Sequence, residues 1–387
     1  MSLDPTTRRI PAASDNRRLI PTDGLQAEAQ RLARRRFLGT AGYGLGMAAL
    51  AELLRGDNSP HYSSPLSLAS TAAAAEPAPL NNPLAPKPSH FPGKAKACIF
   101  IFLEGAPSQL DLFDPKPKLN ELDGKPLPES LTKNVRFAFI KKESAVLMGS
   151  PRKFAPHGKS GMVFSDYLPH LATCADDMLM VRSMHTDQFN HHPAQLSLLC
   201  GRSFFGLPTM GAWLTYGLGS ESQNLPGYVV LSAGRGTSGG ASLWQSGFLP
   251  SVYSGVLFRN QGEPVLNLTN PPGLPPELQR QALDVARAAN SRRFDEIGDP
   301  EIASRIASYE LAFRMQAAAP ELIDLSGETK DTLDAYGIDR PEPELKGSRG
   351  GGPGAYRAFA TNCLLARRLV ERGVRFVSLF HASWDHH

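Results

Sequence analysis

Three stretches of the 387-residue chain hold side chains whose types and spacing suit chemistry. The first, FLEGAPSQLDLFDP, places Glu104, Ser108, Asp111 and Asp114 in one short polar loop, an acceptor-rich turn with a single hydroxyl. Ser108 and Asp111 would serve equally as caps for a following helix, with the other carboxylates solvated. The second, His185-Thr186-Asp187-Gln188-Phe189-Asn190-His191-His192-Pro193, packs three imidazoles and a carboxylate into eight residues. Imidazole is a frequent metal ligand and moves protons near neutral pH. These spacings match no single zinc motif, and His192 beside a proline also fits a helix start. The third is the stretch His381-Ala382-Ser383-Trp384-Asp385-His386-His387, in which Asp385 and His387 can reach one divalent ion from neighbouring loop positions. Metal ligands need orienting partners and a packed surround. A ligand pair at the last residue therefore predicts a truncated chain, with further strands and ligands beyond it.

The elements that must carry these groups are short. Ala97 to Leu103 are seven apolar residues bounded by Lys96 and Glu104, which predicts a strand covered on both faces. In open parallel sheets chemistry sits just beyond the carboxyl ends of such strands, where the Glu104 loop begins. A second strand over Met178–Met184 would deliver His185. A third, Tyr228–Leu231, runs into the glycine-rich Ser232-Ala233-Gly234-Arg235-Gly236; such a loop can hold an anion through backbone amides, but it carries no dinucleotide or P-loop pattern. Pro264–Leu268 reads as another short strand. The helix Ala355–Arg372, stopped by Gly373, leads into a last strand over Val374–Phe380. Further helices are expected at Tyr167–Cys174, Pro193–Leu199, within 201–219 with Thr209 as N-cap, and at Pro275–Asn290, Pro300–Ala317 and Glu321–Leu333. Leu119–Gly161 reads as a surface excursion with a hairpin near Val135–Ile140. Alternating strands and helices predict an α/β fold with a mainly parallel sheet.

Composition narrows the partners. Nine of the 41 basic and six of the 37 acidic side chains fall in the first 75 residues, leaving 32 against 31 in the rest. So balanced a body offers no electrostatic case for nucleic acid or an anionic membrane. Cys98, Cys174, Cys200 and Cys363 lack C-x-x-C spacing and sit in apolar patterns, which predicts buried thiols. Residues 1–75 read as a polar lead followed by Arg34-Arg35-Arg36-Phe37-Leu38, which resembles a twin-arginine export signal. The run from Thr40 to Leu54 is too short for a membrane span and ends at Glu52 and Arg55. Cleavage after Ala73-Ala74-Ala75 would leave a proline-rich spacer over 76–95 and a domain over 96–387, periplasmic or at the cell surface, with the twin-arginine export machinery as a partner.

Taken together, FLEGAPSQLDLFDPKP, MHTDQFNHHPAQ, LPTMGAWLTYGLGS and ARRLVERGVRFVSLFHASWDHH resemble the exported bacterial family called domain of unknown function 1501, over Lys96 to the last residue. That family is similar to the alkaline phosphatase and sulfatase superfamily. The resemblance implies a three-layer α/β/α sandwich, alkaline-phosphatase-like and here incomplete at its carboxyl end, binding divalent metal (zinc, calcium, manganese or magnesium) at the carboxyl edge of its sheet. By position, the Glu104–Asp114 loop would supply acidic ligands, Glu104, Asp111 and Asp114, and the nucleophile Ser108. Asp385 and His387 would form a later metal pair, and His185 or His191 would handle protons or ligate. No C-x-P-x-R sequence occurs, so the usual sulfatase nucleophile is lacking. The expected activity is metal-dependent hydrolysis of phosphate or sulfate esters, of small molecules or glycans; the alternative is a non-catalytic exported binding or scaffold protein on the same fold.

Overall fold

A computed structural model describes residues 82–133, 141, 144–234, 236–259, 261–342, 352–382 and 384. All belong to the compact unit spanning 75–387; the other unit, Met1–Ala74, lies outside them, and with it the stretch expected to be an export signal. The expected hairpin near Val135–Ile140 also lies outside.

Strand β1 (Cys98–Leu103) opens the unit, followed by three short helices, α1 (Gln109–Leu112), α2 (Pro117–Glu121) and α3 (Glu129–Thr132). The hairpin β2 (Phe154–His157) and β3 (Met162–Ser165) leads to α4 (Pro169–Ala172), α5 (His191–Cys200) and α6 (Met210–Leu218). Strands β4 (Tyr228–Ala233) and β5 (Val256–Phe258) precede the helices α7 (Pro276–Ile297), α8 (Pro300–Ile323), α9 (Lys330–Tyr336) and α10 (Ala355–Glu371), and β6 (Phe376–His381) closes the order.

The main sheet has the order β1-β6-β4-β5, and every pairing is parallel. Its register puts Leu103, His381 and Ala233 in one row, so the chain leaves β1, β6 and β4 side by side. Alternation along the strands sends Tyr228, Val230, Phe376 and Phe380 into a cluster with Leu196 and Leu199 of α5. The opposite set, Val229, Leu231, Val377 and Leu379, packs with Leu311 and Met315 of α8 and Leu365 and Leu369 of α10. Helix α6 approaches closely because residue 211 is glycine: a Cβ there would stand 2.6 Å from the Tyr228 ring and 2.7 Å from that of Phe376. Burial pushes the Tyr228 phenol up to about 12, and its oxygen lies 3.2 Å from Ser378 Oγ.

Several expectations change. β1 is not covered on both faces: it is an edge strand among the described residues, with Ile99 39% and Ile101 53% exposed. Met178–Met184 forms no strand. Met178 and Met180 tuck into the satellite cluster around Phe164, while Leu179 is 89% exposed, so the alternation serves a side cluster instead of the sheet. Pro264–Leu268 is a turn, and the fourth sheet strand is Val256–Phe258. The cysteines are unpaired as thiols, yet Cys98 and Cys174 are exposed, one on the edge strand and one at a helix end. The proline-rich stretch is fastened down, Lys87 N–H donating to Leu218 O and Ser220 N–H to Leu84 O. No helix among the described residues is long and apolar enough to cross a membrane.

Candidate functional site

Glu104 is the first residue past β1, and its N–H continues the ladder by donating to His381 O at 2.9 Å. The chain then turns at once: Gly105 and Ala106 both have left-handed backbone, φ 83° and 59°. An alanine in that region is uncommon and strained on the scale of about 1–3 kcal/mol, a cost found mostly where function fixes the backbone. The turn leaves the Glu104 side chain 3% exposed. Its Oε1 accepts from Ser238 N–H at 3.0 Å and lies 3.8 Å from His191 Nδ1.

His191 begins α5, whose first turn follows Asn190. One turn on, Gln195 is 2% exposed, and neither its amide nitrogen nor its oxygen has a hydrogen-bond partner. Residues four apart share a helix face, so His191 and Gln195 stand on one side of α5. His192 belongs to a different contact. Its Nε2 lies 3.1 Å from Ser242 Oγ, which itself donates to Gly239 O at 2.7 Å, so Nε2 carries the proton and donates. The loop after β4 is thus held against α5 by His192 and against β1 by Glu104.

Of the other expected residues, the two aspartates are engaged elsewhere. Asp111 accepts from Ser150 Oγ at 2.5 Å, and Asp114 pairs with Lys116 at 2.7 Å and faces Arg182 at 3.8 Å. Ser108 occupies the N-cap position of α1 but makes no capping bond through its side chain. His185 is exposed on the irregular stretch after Met178, its Nδ1 3.4 Å from Ser183 O. Thr209 stands at the N-cap of α6, yet its hydroxyl donates to Gln245 O. Asp385 and His387 lie outside the described residues.

A family model described as a protein of unknown function, DUF1501, matches residues 95–387. The chain belongs to the DUF1501 family. No curated protein and no solved structure matches it.

Two features of this DUF1501 site were not singled out in the sequence. His381 ends β6, is 5% exposed, and lies between Phe359 and Trp384, with ring centroids 5.1 and 5.2 Å away. Its Nδ1 is 3.1 Å from Ala382 O, which places a proton on that nitrogen. Its position on the last residue of a parallel strand was the available signal. The Ser238 amide, which anchors Glu104, carries no side-chain signature at all. As for metal, no group of three or more histidine, cysteine, aspartate or glutamate side chains converges among the described residues. They bring together the pair Glu104 and His191 and do not complete a divalent-metal set.

Proposed function

We propose that the protein is an exported hydrolase of phosphate or sulfate esters whose reacting centre lies at the carboxyl edge of the parallel sheet, around Glu104 and His191. The observation that carries this reading is a carboxylate almost wholly removed from water and aimed at an imidazole, at the row where β1, β6 and β4 end. Burying a carboxylate is costly unless its partners repay it, and a site of this kind is where chemistry uses such a group. Packing of helices from both sides of the sheet supports the finer reading of a three-layer, alkaline-phosphatase-like sandwich.

In this reading Glu104 holds His191 with Nδ1 protonated, leaving the basic lone pair on Nε2. The 3.8 Å separation exceeds a hydrogen bond and closes by a small rotation when substrate seats. His191 takes the proton of the attacking hydroxyl, from water or from Ser108, as oxygen bonds to phosphorus or sulfur. It returns that proton to the departing alkoxide as the ester bond breaks; where Ser108 is the attacking group, a water deprotonated by His191 then cleaves the phospho- or sulfo-serine, and the proton returns to the Ser108 oxygen as the free anion leaves. A divalent cation enters this reading only through Asp385 and His387. Turnover of aryl phosphates and aryl sulfates by the protein tests the proposal. Glu104→Gln and His191→Ala should each lower kcat/KM by about 10²-fold or more. Equal turnover in both variants overturns the assignment of Glu104 and His191, and no turnover of either ester by the wild type overturns the hydrolase and leaves the non-catalytic binding protein.

A further inference from the structure

Beyond the carboxyl ends of β4 and β5 lies a cavity of about 440 Å³ that the Glu104–His191 chemistry does not use. Leu231 pairs with Phe258, so the next residues, Ser232 and Arg259, emerge alongside each other, and both line the cavity with Thr237 and Gln261. The Ser232 and Thr237 hydroxyls are both buried without a hydrogen-bond partner. Buried polar groups in folded proteins are satisfied by protein, water or ligand, so two orphans in one wall point to a molecule that completes them. No acidic residue among the described residues lines the cavity. The nearby Glu263 accepts from Thr269 Oγ1, Thr269 N–H and Asn267 N–H, and these bonds, with a smaller contribution from the Arg259 charge, hold its carboxyl below the usual range. Gly234 and Gly236 also line the wall, each with left-handed backbone, φ 81° and 91°.

We infer that this cavity is a binding site for a tetrahedral oxyanion, sulfate or phosphate, free or as the head of an ester. The hydroxyls of Ser232 and Thr237, the Gln261 amide and the Arg259 guanidinium are its donors, and Arg259 supplies the charge and a planar fork that fits two oxygens. The site touches the first one through a single peptide: Thr237 lines the cavity while the N–H of Ser238 holds Glu104.

Isothermal titration of the protein with inorganic sulfate and phosphate tests the assignment independently of catalysis. Wild type and His191→Ala should bind alike, and Arg259→Gln and Thr237→Val should each weaken binding about tenfold or more. Thr237→Ser, which keeps the hydroxyl, should bind as wild type and so controls for misfolding. A phosphate monoester that displaces the inorganic ion in wild type, but not in Arg259→Gln, assigns the cavity to an ester head; failure to displace assigns it to the free ion. Absence of binding at millimolar anion, or binding lost in His191→Ala and kept in Arg259→Gln and Thr237→Val, overturns the inference.

Discussion

Glu104 shows how one residue can be placed at the expense of comfort. Its carboxylate is buried, a single described amide hydrogen bond serves it at 3.0 Å, and the imidazole stands farther off than a hydrogen bond. A neutral amide of the same shape desolvates more cheaply, so Glu104→Gln should leave the melting temperature unchanged or raise it, by up to about 1–2 kcal/mol of stability, while removing turnover. A large fall in melting temperature would mean that the carboxylate is a structural anchor and not a working group. Ala106 belongs to the same account. Replacing it with glycine relieves its left-handed backbone but widens the choices open to the turn. Sequence alone offered Glu104 as the residue after an expected strand and His191 as one of a cluster of imidazoles. It could not separate them from Asp111, Asp114 and His185, since contacts such as those of Asp111 with Ser150 and Glu104 with the Ser238 amide join segments distant in sequence.

Among the elements, the long helices and the longer apolar strands were the legible ones. The starts of β1, β4, β6, α7, α8 and α10 fall within two residues of those expected, but α7 and α8 run on to Ile297 and Ile323, and the helix expected over Glu321–Leu333 divides between the end of α8 and α9. β5 has only three residues and a glycine before it, too little for any period to register. The Met178–Met184 run misleads because alternation records burial on one side and not the partner that provides it. Two predictions belong here. Gly211→Ala drives a methyl into the Tyr228 and Phe376 rings and should cost about 1–3 kcal/mol in chemical denaturation. The second concerns α7 and α8, which Arg280 clamps by donating Nη1 and Nη2 to both oxygens of Glu310, at 2.9 and 2.7 Å. The hydrogen bonds from Arg280 hold the Glu310 carboxyl below its ordinary 4.5. A depressed acid contributes stability that is complete above its ordinary value and lost as pH falls through the lower, folded one. The loss should be about 1 kcal/mol, and Glu310→Gln should remove it from a melting profile taken below pH 4.5.

For the molecule as a whole, the amino-terminal 75 residues and the described unit pose separate questions. Export through the twin-arginine route predicts a mature chain beginning at Glu76. Amino-terminal sequencing of secreted protein checks this, and Arg34→Lys with Arg35→Lys should retain the precursor inside the cell. Family membership and the parallel sheet were readable from motifs, because a handful of local strings sufficed. The sheet order was not, because which strand lies beside which is decided by packing between remote segments.

That order has a consequence in time. β1 pairs with β6 alone among the described strands, and Leu103 and His381 are 278 positions apart. At about 5–20 residues per second of synthesis, β1 waits roughly 15–60 s for its neighbour to be made. Throughout that interval CIFIFL is an apolar strand with both edges open, a segment that nascent-chain chaperones would need to shield. Ribosome-bound chains arrested before residue 376 should leave Cys98 equally open to thiol labelling at every length, with protection of the β1 backbone amides arriving only once β6 has emerged.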